Sequence, residues 1–219
     1  MLQDFDKTLE KIIYTEGKIP KSDVDIAFDA PDGEWSSRLS KPTINCWCFD
    51  VRENLKLRAT ERQVTVNGQR ADVKMPLRRF DLTYLVTAWA RKMEDEHQLL
   101  WRALTALKRT TSIKPRDSEG SLRYLQFDIP LLVATPSDHP VNLVDLWGVL
   151  NNVMRVGFTV VATLEMEVFP AIDTPLVLEG RARVGFAENP PSKELTLLDA
   201  EMLIASADKT DPSDENGSK

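Results

Sequence analysis

Residues 157–170, GFTVVATLEMEVFP, alternate with a period of two. Phe158, Val160, Ala162, Leu164, Met166 and Val168 fall on one side, and Thr159, Thr163, Glu165 and Glu167 on the other. That period places successive side chains on opposite faces, as in a strand covered on one side. RRFDLTYLVTAWA (78–90) repeats it, with Phe80, Leu82, Tyr84, Val86, Ala88 and Ala90 sharing a face and Asp81, Thr83 and Thr87 opposite. Two strands of this length need a sheet to join and a layer to cover their apolar face. TINCWCFDV (43–51) is largely apolar on both sides: Asn45, Trp47, Phe49 and Val51 on one, Ile44, Cys46 and Cys48 on the other. Such a strand belongs in the middle of a layered fold.

Helical periods supply the covering layer. Leu2, Phe5, Leu9, Ile12 and Ile13 mark a helix over 2–16, with Gly17 at its C-cap position. A second runs over about 94–108, and a third over 140–153 carries Leu143, Leu146, Trp147 and Leu150. VDIAF (24–28) is extended, and PDGEWSSRLSKP and residues 110–121 are loops by composition. LQFDIPLLV (125–133) reads as an edge or irregular strand because of its proline. TPLVLEGRARVGF (174–186) adds a further strand. The fold class is therefore α/β (α+β mixed), a mixed β-sheet packed with helices over residues 1–186. Residues 52–79 form a protruding β-arm whose Asn67-Gly68 pair signals a hairpin. Residues 187–206 are a C-terminal extension with a short helix, and 207–219 an acidic tail too poor in apolar residues to order.

The densest group of candidate catalytic or metal-binding side chains is Glu94, Asp95, Glu96 and His97. Glu94 and His97 share a helix face, but a di-metal carboxylate bundle needs a second such pair and two more glutamates. The other histidine, His139, lies in an SDHP turn. Acids at the start and Lys108 and Arg109 at the end instead suit the helix dipole, so the stretch reads as a helix start. Cys46-Trp47-Cys48 reads as core packing. No GxSxG, phosphate loop or GxGxxG is present. The reading is a protein that is not an enzyme, with no catalytic residues, no metal and no cofactor. A hydrolase that depends on converging carboxylates or on a metal is the remaining enzymatic alternative.

The net charge of −6 argues against a nucleic-acid partner. No run approaches the roughly 18 apolar residues of a membrane span, and the first residues carry acids where a signal peptide has a basic region. The expectation is a cytoplasmic chain with no direct membrane span. Against this acidic background, Arg52, Lys56, Arg58, Arg62, Arg70, Lys74, Arg78 and Arg79 crowd into the arm. They suit docking on an acidic partner or on another copy of this chain.

The order of VDIAFDAPDGEWSSRLSKPTIN, FDVRENLKLR, RRFDLTYLVTAWA, EDEHQLLWRAL, IPLLVA and TPLV, behind a short N-terminal helix, resembles the cap or tube-terminator proteins of phage-tail-like contractile injection systems. The resemblance spans about residues 2–185. It implies an α/β subunit like a phage tail terminator that closes into a homohexameric ring. The ring would sit on the distal end of the inner tube, stop its growth, bind the last ring of sheath protein and couple the two within an assembled particle. The family pattern places EWS and VREN in loops at sheet ends, so Glu34, Trp35, Arg52, Glu53 and Asn54 are implied ring or tube contacts. The other reading of the same resemblance is an adaptor in the baseplate or sheath.

Overall fold

The computed structural model describes residues 1–67, 70–136 and 142–175, with the strand pairs 181–182 and 195–196. The chain begins with α1 (Leu2–Glu16), β1 (Asp25–Ala27), the single-turn α2 (Gly33–Ser37) and β2 (Thr43–Glu53). The hairpin β3 (Gln63–Asn67) and β4 (Arg70–Lys74) precedes the long β5 (Arg78–Trp89) and α3 (Met93–Arg109). Then come β6 (Ser112–Ile113), β7 (Ile129–Val133), α4 (Leu143–Val149), β8 (Gly157–Met166) and β9 (Ile172–Pro175), and last β10 (Arg181–Ala182) and β11 (Leu195–Thr196).

Two compact units divide these elements. The first, 1–60 with 76–168, holds a six-stranded sheet in the order β1-β2-β5-β8-β7-β6. The β1–β2 pair is parallel and the remaining pairs are antiparallel. The second unit, 61–75 with 169–219, holds β3-β4-β9 and the β10–β11 pair. The basic arm is thus entered by main-sheet strands from both sides, since β2 runs through Glu53 and β5 starts at Arg78. Asn67 pairs with Arg70, so the reversal falls one position later than the Asn-Gly signal places it. His139, the expected helix in 187–206 and the tail 207–219 lie outside the described residues, as does most of the 174–186 strand.

Alternation in β5 and β8 decides the layering. Leu82, Tyr84, Val86 and Ala88 join Val160, Ala162 and Leu164 on one face, under Phe5, Leu9 and Ile13 of α1 and Leu99, Ala103 and Leu107 of α3. The opposite face carries Leu85 and Trp89, covered by Trp35 of α2, Trp147 of α4 and Leu150 just after α4. β2 is covered on both sides as its composition requires, but its register shifts between Cys48 and Asp50. Phe49 is the extra residue of a bulge. Val51 therefore pairs with Leu82 and leaves the face of Trp47 and Phe49, which strict alternation would give it. Pro130 sits in β7 opposite the two-residue β6, where a missing N–H is tolerated.

Three expectations change in detail. GEWSS is a helical turn, because Asp32 caps it by accepting the Trp35 N–H at 2.7 Å. α4 is only seven residues long, and 3-10 turns punctuate 115–124. Gly17 is the C-cap of α1, as expected, but at φ −77° it is not the left-handed residue; Lys18 is, at φ 50°. A side chain at Gly17 would strike the Ile13 carbonyl, so close approach explains this glycine.

α1 is also fastened by polar contacts. The fully buried Tyr84 hydroxyl donates to Asp6 Oδ1 at 2.7 Å. Asp4 accepts from the Ser121 N–H at 3.1 Å and its Oγ at 2.6 Å. Desolvation pushes the Asp6 carboxyl above its ordinary 3.8, with the Tyr84 bond pulling partly back. The Ser121 bonds hold Asp4 down at about 2. The two have opposite pH signatures. The stability Asp6 contributes is full below pH 3.8 and is lost as pH rises through its raised folded value. The Asp4 contribution is present above 3.8 and is lost as pH falls toward 2. In urea titrations across pH, Asp6→Asn is expected to gain on the wild type as pH rises, whereas the deficit of Asp4→Asn shrinks toward pH 2. Tyr84→Phe, which strands the half-buried Asp6, is expected to cost about 1–3 kcal/mol at neutral pH.

Candidate functional site

The β2–β5 register brings most of the expected contact residues to one end of the main sheet. It pairs Arg52 with Asp81 and Glu53 with Phe80. Glu53 lies between Arg58 at 3.4 Å and Arg78 at 3.5 Å. Asn54 donates to Asp81 Oδ2 at 2.9 Å and accepts the Leu57 N–H at 3.1 Å, ending β2 in a short 3-10 turn. Asp81 also accepts from Thr163 Oγ1 at 2.6 Å. Arg79 grips Glu165 through Nε at 2.6 Å and Nη2 at 2.5 Å. Arg52 pairs locally with Asp50 at 2.7 Å.

These contacts are unequal. Glu165 is only 9% exposed, so its pairing with Arg79 neutralises a charge that water does not reach. Arg52 and Arg58 are about half exposed, and ion pairs in that setting contribute little. Glu53 Oε1 and Arg78 Nη1 are buried without a hydrogen bond, as is Glu165 Oε2. The end of the sheet is therefore a charged, partly unsatisfied surface. Lys56 is exposed beside it, and Arg62 is exposed in the second unit. Within the EWS stretch, Glu34 is exposed and reaches Arg38 at 3.7 Å. Trp35 is core, edge-on to Trp89 with centroids 5.4 Å apart.

The EDEH stretch opens α3, whose first turn holds Glu94, Asp95 and Glu96. Glu96 has the structural task. It accepts the Ala90 N–H at 3.2 Å and pairs with Arg155, whose guanidinium lies 4.2 Å from the centre of the Trp89 ring. This clamp joins the end of β5, the start of α3 and the approach to β8. Nothing in the sequence around Arg155 marks it for this role. Glu94 and His97 are exposed. Among the described residues no group of three His, Cys, Asp or Glu side chains is placed to hold a metal ion. Burial pushes the Cys46 and Cys48 thiols up, away from the thiolate a ligand or nucleophile needs.

Arg155 also separates two hollows. One, of about 560 Å³, is lined by Lys41, Arg91, Lys92 and Arg155 against a single carboxylate, Asp95. The other, of about 480 Å³, is a mainly apolar groove between Met93, Leu100, Met154 and Val156, which Glu96 and His97 also line, Glu96 being paired with Arg155.

A family profile described as the Pvc16 N-terminal domain matches residues 4–175. No curated protein matches the sequence. Among solved structures, the sheath/tube terminator of an extracellular contractile injection system in its extended state is similar in fold. Its TM-score is 0.61 at 20% identity, over 94% of this chain and 71% of that one. The tube-terminating cap of the anti-feeding prophage gives 0.58 at 19% identity, over 84% of this chain and 62% of that one.

Substitution separates the buried contacts from the surface ones. Trp35→Ala is expected to cost about 3–5 kcal/mol and Arg79→Ala about 3 kcal/mol, by stranding Glu165. Arg52→Ala and Arg58→Ala should stay within about 0.5 kcal/mol. Chemical denaturation of the four variants measures all of these.

Proposed function

Because the chain belongs to the Pvc16 N-terminal domain family, we propose that it is the cap of a contractile injection system: a homohexameric ring that ends the inner tube and couples it to the last sheath ring. The observation that carries this reading is a family match over residues 4–175 on a chain whose fold follows a sheath/tube terminator and a tube-terminating cap. The protein acts by contact, not by catalysis, as one component of an assembled extracellular particle. Its partners are other copies of itself, the tube protein and the sheath protein.

The geometry suits that task. A terminator must match the last ring of tube subunits and present no surface on which the next ring can grow. The end of the sheet at Arg52, Glu53, Asn54, Arg58, Arg78 and Arg79 offers such a docking face, since its side chains are prepositioned by their own contacts. Lys56 adds an exposed positive charge on the same unit, and Arg62 carries one on the second unit by itself. Glu34 supplies an exposed carboxylate, whereas Trp35 supports the surface from beneath. Charged rims of this kind set register and association rate more than affinity. No helix of the described residues is long and apolar enough to cross a membrane.

Electron microscopy of the protein purified with its tube and sheath proteins tests the reading. A hexameric ring closing one tube end is the expected result. Protein spread along tube walls would favour an adaptor, and open tube ends without it would remove the cap reading. Charge reversal at Arg52 and Arg58, both dispensable for folding, is expected to leave tubes uncapped and longer than with wild type.

A further inference from the structure

Two exposed apolar surfaces lie at opposite ends of the same strands. At the Trp89 end of β5, the groove beside Ala88 presents Met93 at 70% exposure, Met154 at 54% and Val156 at 66%. Across Arg155, the cation-lined hollow continues it with Lys41, Arg91 and Lys92. At the Arg78 end, Tyr124 is 88% exposed and Phe127 54%, with the Phe127 ring 5.9 Å from the Arg79 guanidinium. The exposed Asp128 follows directly, its carboxylate at the 3.5 Å limit of a bond from Ser112. Large aromatics left this open are the side chains that anchor protein interfaces.

We infer that the groove receives residues 124–128 of a neighbouring copy of this chain, Tyr124 and Phe127 entering between Met93, Met154 and Val156 while Asp128 faces Arg91 and Lys92. Three features match. The aromatic pair supplies apolar bulk, and methionine side chains adapt to aromatic rings. The acid that follows the aromatics corresponds to the cations beyond the groove. The two surfaces cannot meet within one copy, because the twelve residues of β5 between them span roughly 36 Å at about 3.3 Å each. A contact between two different patches is head-to-tail, and such contacts build rings when the rotation closes. The inference rests on the ring reading and supplies the side chains that join one subunit to the next.

Disulfide trapping tests it without tube or sheath. Phe127→Cys protein mixed with Met154→Cys protein under mild oxidation is expected to form the mixed dimer roughly tenfold faster than Val51→Cys mixed with Met154→Cys, because docking raises the effective concentration of the two thiols. Val51 is equally exposed, at 53%, on β2. Native Cys46 and Cys48 contribute the same background to both mixtures. Equal rates overturn the inference. Phe127→Asp and Met154→Asp proteins, checked for native thermal unfolding, are each expected to fail to form rings at tube ends. If both still close tube ends, the contact is wrong and the cap reading stands. If wild type ignores tube ends, the cap reading falls and the trapping rates still decide the contact.

Discussion

Strand β5 has to be dry on both faces for most of its length, and the first unit is arranged around that requirement. Leu82, Tyr84, Val86 and Ala88 need one apolar layer, and Leu85 and Trp89 need another. α1 and α3 supply the first with two amphipathic helices. The second is built from three tryptophans: Trp89 itself, with Trp35 and Trp147 carried on two short helices. Short helices have little stability of their own, so α2 and α4 exist because they bring aromatic area to Trp89. At the far end of β5 the second layer stops, and the same face turns to Asp81 and Arg79, whose charges are met by Asn54, Thr163 and Glu165. One strand thus ends in an aromatic cluster on one side of the molecule and in an ion-paired surface on the other.

Much of this was legible where the sequence repeats with a short period. The alternation of 78–90 and 157–170 specified the two central strands and the face that α1 and α3 cover, and the 2–16 and 94–108 periods specified those helices. But 78–90 reads as covered on one side, whereas Leu85, Thr87 and Trp89 are buried on the other, and Met166 and Val168, expected inward, are exposed where β8 ends. What escaped was local or non-periodic. The bulge at Phe49 has no composition signal, yet it moves Val51 to the other face. α2 is shorter than two turns, too short for a period to show, and its cap at Asp32 looked like part of a turn. The clustering of Glu53, Asn54, Arg78 and Arg79 follows from strand register, which residue order does not state. The clamp of Glu96 on Arg155 and Trp89 needs three segments brought together, and only the fold does that.

The EDEH stretch illustrates how a dense group of acids divides its work. Glu96 turns inward to a backbone N–H and a guanidinium, while Glu94, Asp95 and His97 remain on the exposed side of α3. Glu96 and His97 border one groove and Asp95 the neighbouring hollow, and the helix dipole favours acids throughout that turn.

A subunit that must end a polymer faces a constraint that a monomeric enzyme does not. It has to associate with its own kind, yet association must stop. Two unlike patches on one subunit favour continued addition, and only the angle between successive copies decides between a closed ring and an open filament. That angle is set by rigid parts. Here the groove and the aromatic segment lie at the two ends of β5 and β8, strands paired over ten successive residues. In the proposed ring, a stiff sheet between the two patches would keep the rotation per subunit constant from one copy to the next. Flexible loops at the same places would let the chain associate without closing.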